Sequence, residues 1–216
     1  MSESPTNLDA YEALEQLREG NSRFANNVRS LDTLISQSQR ESLTEGQNPF
    51  AIILGCSDSR VPAELVFDQG FGSLFVIRVA GNVVAPSQIG SVEFAATSFN
   101  TQLVVVLGHS DCGAINATIK TLKSQEKIPS RGIRSIIDLV SPAVAELVDS
   151  PLRDQPEELK KHAVRANVRA STSHLRHGSR TIEKLVLENK LLIVGADYSI
   201  ETGEVDFFDV PEPHET

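Results

Sequence analysis

The segment Leu103-Val-Val-Val-Leu107 decides the fold, because such a short, wholly apolar and β-branched run is typical of a strand that is buried on both faces. Similar runs stand at residues 50–55, 73–79 and 190–195, and residues 205–208 predict a last edge strand. Longer stretches with helical periodicity separate these runs, so strands and helices alternate along the chain. The pattern predicts an α/β fold in which a mostly parallel central sheet is flanked by helices.

Helices are predicted wherever apolar residues recur with a period near 3.6. Residues 7–27 form an amphipathic stretch, and residues 31–42 predict a second, weaker helix. Further helices are expected at residues 87–100, 114–123, 133–148 and 156–189, the last of them interrupted at Gly178. No Pro/Gly/Ser-rich linker divides the sequence, so we expect one domain over residues 1–216.

The charge balance argues against two classes of partner. The chain has 216 residues, a net charge of −9 and a pI of about 5.1, and nucleic acids and anionic membrane surfaces repel a protein of that sign. No apolar run approaches the length of a membrane span, and no apolar segment of a secretory leader follows the polar residues 1–7. The two cysteines are expected to be reduced, and together these features predict a cytoplasmic protein.

Both cysteines follow predicted strands. The first strand runs into Gly55-Cys56-Ser57-Asp58-Ser59-Arg60, and the third runs into Gly108-His109-Ser110-Asp111-Cys112-Gly113. Because the carboxyl ends of parallel strands meet at one edge of a sheet, we expect these two loops to be neighbours. Two thiolates and an imidazole are ligands that Zn²⁺ prefers, and three protein ligands leave a fourth position open for water. Cys56, His109 and Cys112 are therefore predicted to bind a catalytic zinc ion.

Asp58 and Arg60 are predicted to pair, because side chains two residues apart on an extended loop point the same way. In a catalytic site Asp58 accepts a hydrogen bond from the zinc-bound water, and Arg60 keeps it ionised; a structural loop salt bridge is the alternative. A different enzyme class also fits the donor set. In a thiol enzyme, Cys56 or Cys112 is the nucleophile and His109 the base.

The sequence resembles the β-carbonic anhydrase family on motifs that span nearly the whole chain. The resemblance rests on Cys56-Ser-Asp-Ser-Arg60 together with His109-x-x-Cys112. Flanking matches are Gln47-Asn-Pro, Phe75-Val-Ile-Arg78, Ala80-Gly-Asn82, Ser91-Val-Glu-Phe94, Leu17-x-x-Gly-Asn21-x-Arg23-Phe24 and Gly195-Ala-x-Tyr198-x-x-x-Thr-Gly203. The resemblance implies an enzyme that interconverts carbon dioxide and bicarbonate through a zinc-bound hydroxide.

The resemblance also implies a role for each matched residue. Cys56, His109 and Cys112 are the zinc ligands, Asp58 and Arg60 are the catalytic pair, and Asp58 takes the fourth zinc position in a closed state. Gln47, donated across a dimer interface, and the backbone N–H of Gly113 bind the substrate, while Phe75 and Phe94 form an apolar wall. The implied assembly is a homodimer or homotetramer in which an N-terminal helical arm, residues 1–45, packs on the dimer mate of a catalytic core at residues 46–210. A non-catalytic zinc-binding scaffold of the same family is the alternative function.

Overall fold

A computed structural model describes residues 8–30, 41, 43–124 and 130–211. The strands within these ranges are β1 (Ala51–Gly55), β2 (Leu74–Arg78), β3 (Leu103–His109), β4 (Leu192–Tyr198) and β5 (Val205–Asp209). They form one sheet in the order β2-β1-β3-β4-β5, in which β5 is antiparallel to β4 and the other neighbours are parallel. The mostly parallel sheet expected from the apolar runs is confirmed.

Strands β3 and β4 continue beyond the apolar runs that predicted them. The two strands stay paired to their ends, with Gly108 opposite Asp197 and His109 opposite Tyr198. Polar residues at these positions conceal the continuation from a search for apolar runs. The extension keeps His109 within the hydrogen-bonded sheet.

The helices within the described ranges are α1 (Ala10–Ala25), α2 (Ala63–Val66), α3 (Pro86–Ser98), α4 (Gly113–Ser124), α5 (Arg131–Val148), α6 (Pro156–His177) and α7 (Arg180–Leu187). The predicted interruption at Gly178 separates α6 from α7, and the Ser179 side chain caps α7 by accepting from the Ile182 N–H. Helix α2 was not predicted, because one turn is too short to show periodicity. The helix predicted at residues 31–42 lies outside the described residues, apart from residue 41.

Helices cover both faces of the sheet, and every residue of β1 and β3 is buried. On one face α1 and α2 pack over Ile53 and Val105. On the other face α3, α6 and α7 pack over Ile52 and Val104. A third cluster, formed by α4, α5 and α6, surrounds Cys56. The double burial explains why these strands read as continuous apolar runs.

Helix α1 packs on the core of its own chain. Its N-terminus carries a capping box between Asp9 and Glu12. Near its other end, the buried Asn21 amide donates to the carbonyl of Val66 (3.1 Å) and to that of Gly203 (2.9 Å). The packing of residues 1–45 on a dimer mate stays a prediction.

Among the described helices, none is long and apolar enough to cross a membrane.

Candidate metal centre

The loop after β1 is anchored by Arg78, the last residue of the neighbouring strand β2. The Arg78 guanidinium donates to the carbonyl of Cys56 (2.9 Å, from Nε) and to that of Asp58 (2.5 Å, from Nη2). Parallel strands β1 and β2 end at the same edge of the sheet, so Arg78 reaches both carbonyls. As a result the Cys56 side chain is held inside the core, where it is 5% exposed.

The loop after β3 is anchored through Ser110. Its N–H donates to the carbonyl of Tyr198 (2.9 Å), and its hydroxyl accepts from the N–H of Ile200 (3.0 Å). The Ser110 carbonyl lies 2.9 Å from Nδ1 of His109, so that ring nitrogen carries the proton and Nε2 presents a lone pair. Cys112 follows in the same loop and is 1% exposed.

The structure brings Cys56, His109 and Cys112 together as expected. Their donor atoms all lie within 4.8 Å of one another, and the two sulfurs are 4.0 Å apart. Two sulfurs on a tetrahedral zinc ion at the usual bond length are separated by about 3.8 Å. Nε2 of His109 is buried and has no hydrogen-bond partner among the described residues, which is costly unless a cation accepts its lone pair. The donor set therefore fits a divalent metal ion.

The contact between the two thiols shifts their pKa values in opposite directions. A hydrogen bond from Cys112 lowers the pKa of Cys56 to about 4, against the opposing effect of burial. The same contact, together with burial, raises the pKa of Cys112. For His109, burial lowers the pKa, but the neighbouring Cys56 sulfur raises it and the net shift is upward. A bound divalent cation would favour the thiolate form of both cysteines, because metal ligands must be deprotonated.

Asp58 and Arg60 form the pair expected from their spacing. The guanidinium donates from Nε to Oδ1 (2.9 Å) and from Nη2 to Oδ2 (2.7 Å), and the Arg60 N–H also donates to Oδ1 (2.9 Å). These hydrogen bonds hold the pKa of Asp58 well below its usual range. Oδ2 lies 4.0 Å from Nε2 of His109, so the ionised carboxylate borders the donor cluster.

Arg60 also lines a cavity of about 660 Å³ between the β3 loop, α6 and the β4–β5 connection. Lys160 and Asp197 are among the other lining residues. Burial raises the pKa of Asp197, because the nearby Arg165 only partly offsets the loss of water. Within the part of the chain that the structure describes, Oδ1 of Asp197 has no hydrogen-bond partner.

The residues expected to bind substrate do not line the cavity beside Arg60. Gln47 is exposed and lines a separate surface depression of about 510 Å³ together with Phe99. Gly113 is exposed at the start of α4. Phe75 and Phe94 do meet, with ring centroids 6.3 Å apart, and Phe94 is 54% exposed. Neither ring lines the cavity beside Arg60.

One contact to the cluster was missed in the sequence. The Gly81 N–H lies 3.4 Å from Sγ of Cys56, in the short turn Ala80–Asn82. The Gly-Asn pair shortly after β2 marks a turn, and the turn's place at the carboxyl edge could have suggested proximity to Cys56. Asn167, whose amide contacts this turn, carries no such signal because it lies in the middle of α6.

Comparison with known proteins gives concordant matches. A family model described as carbonic anhydrase matches residues 51–205. Carbonic anhydrase 2 of Mycobacterium tuberculosis is 36% identical over 197 residues, which cover 91% of this chain and 92% of the relative. The structure of the β-carbonic anhydrase CcaA matches with a TM-score of 0.69 at 28% identity, covering 94% of this chain and 91% of that one. A chain from two tetrameric β-carbonic anhydrases of Sordaria macrospora shares the fold, with a TM-score of 0.70 at 22% identity over 78% of this chain and 85% of that chain.

Proposed function

The chain belongs to the β-carbonic anhydrase family, and on that premise we propose that it catalyses the reversible hydration of carbon dioxide to bicarbonate and a proton, with Zn²⁺ bound by Cys56, His109 and Cys112. One observation carries the proposal: three buried donor atoms lie within 4.8 Å of one another beside an ionised carboxylate. When bound, Zn²⁺ acts as a Lewis acid that makes water a better nucleophile near neutral pH.

Asp58 orients the attacking water in this proposal. Arg60 donates one side-chain hydrogen bond to each oxygen of the Asp58 carboxylate. A second lone pair on Oδ2 then accepts a hydrogen bond from water on the side of His109. With the water held in this way, a lone pair on its oxygen is directed at the carbon of the substrate. Arg60 keeps Asp58 ionised and fixes its rotamer. The same pairing supports an open arrangement, in which Asp58 is not itself the fourth zinc ligand.

The substrate pocket is proposed from the family resemblance. Phe75 and Phe94 would provide an apolar wall suited to carbon dioxide, which has no dipole. Gln47 and the Gly113 N–H would donate to the oxygens of bicarbonate. Since Gln47 lines a separate depression of its own chain, a contribution from a partner chain agrees better with its position.

A homodimer or homotetramer is the proposed assembly. Strand β2 is an edge strand, and an aromatic cluster of Phe75, Phe94 and Phe99 adjoins it with centroid separations of 5.5–6.3 Å. Phe71, which precedes β2, is 61% exposed. Apolar surface of this kind, beside a sheet edge that no other described strand pairs with, favours burial against a second copy. Sedimentation of the purified chain tests the assembly, and a monomer at micromolar concentration would contradict it.

A hydration assay combined with metal analysis tests the proposed activity. The wild-type chain is expected to hold about one zinc per chain and to lose turnover in a strong chelator. Asp58→Asn and Arg60→Ala are expected to keep zinc but to lose most activity, because each disrupts orientation of the water without removing a ligand. Arg153→Ala is the matched control, since Arg153 is an exposed arginine near an aspartate, Asp149, away from the donor cluster.

The outcomes separate the alternatives. Zinc binding by a wild-type chain without hydration activity would support the non-catalytic scaffold. Alkylation of Cys56 or Cys112 without release of metal would support a thiol enzyme. Full turnover of Asp58→Asn would remove that carboxylate from the mechanism.

The division into an arm at residues 1–45 and a core at residues 46–210 stays a prediction.

A further inference from the structure

The turn Ala80–Asn82 places a backbone donor against one sulfur of the donor cluster. The Gly81 N–H lies 3.4 Å from Sγ of Cys56. Gly81 has a φ of +71°, a conformation that residues with a side chain adopt at a cost. A Cβ at this position would also lie 3.1 Å from Cβ of Ala114, at the start of α4. The turn is therefore closely fitted between the sulfur and α4.

Helix α6 contacts this turn with two side chains. The Asn167 amide donates to the carbonyl of Gly81 (2.8 Å), and the Ser171 hydroxyl donates to the carbonyl of Asn82 (3.0 Å). These two side chains are one helical turn apart on the same face, and they are only 2% and 5% exposed. Val168 between them is fully buried in the cluster that covers the sheet. The sheet thus sets the position of α6, and α6 sets the position of the turn.

We propose that Asn167, assisted by Ser171, is a positioning residue that aims the Gly81 N–H at the Cys56 sulfur and so limits the charge that this thiolate donates to the bound metal. The inference rests on the proposed function, since it requires Cys56 to be a metal ligand. A hydrogen bond to a thiolate withdraws electron density from sulfur. With two thiolates already neutralising a divalent ion, such a bond preserves part of its Lewis acidity.

The experiment compares Asn167→Ala and Ser171→Ala with Asn21→Ala in the full chain. Asn21 is the matched control, because it is also a buried helical asparagine whose amide donates to backbone carbonyls, at Val66 and Gly203. Zinc affinity is measured by competition with a chromophoric chelator. The Co²⁺-loaded protein is examined for its sulfur-to-metal charge-transfer absorption, a spectroscopic signature that a general loss of stability does not move.

Asn167→Ala is expected to weaken zinc binding about 10-fold, because the Cys56 sulfur loses a hydrogen bond that holds it in place for the metal; this is the lower end of the effect usual for groups that support a metal ligand. Its charge-transfer band is expected to move to longer wavelength, because the sulfur becomes richer in electrons. Ser171→Ala is expected to change both quantities in the same direction by less. Asn21→Ala is expected to lower stability while leaving both at wild-type values.

Unchanged affinity and absorption in Asn167→Ala would overturn the proposal, as would equal changes in Asn21→Ala. If Asn167→Ala does not fold, Ser171→Ala decides on the same two readouts. A wild-type chain that binds zinc and hydrates carbon dioxide, with variants that behave like it, would refute the positioning role alone. A wild-type chain that binds no metal would refute the proposed function as well.

Discussion

Addition of Zn²⁺ to the chelator-treated chain is expected to raise its free energy of unfolding, because the donor side chains converge only in the folded state. Cys56 and Cys112 are 56 positions apart in the sequence, yet their sulfurs lie 4.0 Å apart. Exposure of the donors is 5% for Cys56, 0% for His109 and 1% for Cys112. An ion bound among them is therefore linked to folding of the whole sheet edge.

The magnitude follows from mass action. Free zinc at 100 times its dissociation constant stabilises a folded state that alone binds it by about 2.7 kcal/mol. For a chain of 216 residues, each kcal/mol corresponds to a shift of about 2–4 °C in Tm. The expected rise in Tm is therefore about 5–11 °C.

Scanning calorimetry with a zinc buffer measures this rise after the dissociation constant has been determined by competition. Cys112→Ser is expected to lose most of the zinc-dependent shift, since it removes one of three ligands. His162→Ala is the control, because His162 is an exposed histidine on α6 near Glu158 and lies outside the donor cluster. A wild-type Tm that does not respond to zinc would refute the reasoning, as would an equal response in Cys112→Ser.

Three further predictions concern backbone packing, a buried carboxyl and pH. Gly20→Ala is expected to destabilise the fold by about 3 kcal/mol in urea unfolding, because its Cβ would lie 1.9 Å from the carbonyl oxygen of Phe67, and a loss below half that value would contradict the close packing. Asp197→Asn is expected to stabilise the chain at pH 7 but not at pH 3. Burial raises the pKa of Asp197, so above the ordinary carboxyl pKa the folded state loses free energy by holding the ionised form. Below that pKa the carboxyl is protonated in both the folded and the unfolded state, and the substitution has no charge to remove. Thermal unfolding at the two pH values checks this, and equal stabilisation at both would be contrary. The rate of carbon dioxide hydration is expected to rise towards alkaline pH, because two thiolate ligands weaken the acidifying effect of zinc on its bound water. Asp58 does not cause the rise, since Arg60 keeps its pKa low. A rate that does not change with pH would contradict the assignment of two thiolate ligands.

The candidate site was predicted from sequence to the extent that it depends on strand ends. Cys56 directly follows β1, and His109 is the last residue of β3. Because these two strands are parallel neighbours, their order alone was enough to bring both residues to the carboxyl edge of the sheet. Substrate contacts were less predictable. Gln47 and the ring pair of Phe75 and Phe94 were assigned by resemblance, and in this chain they lie in regions that do not join the cavity beside Arg60.

The sequence by itself determined the alternation of strands and helices and the chemical identity of the donor set. Both are local properties: apolar periodicity reports which residues face a core, and residue type reports which atoms bind a metal. Only the tertiary structure decided which groups surround those donors. The Gly81 N–H at Cys56, the support of its turn by Asn167 and the burial of Asp197 all depend on how α6 packs against the sheet. Contacts between segments so distant in the chain leave no periodic pattern, because they are set by the packing of whole elements.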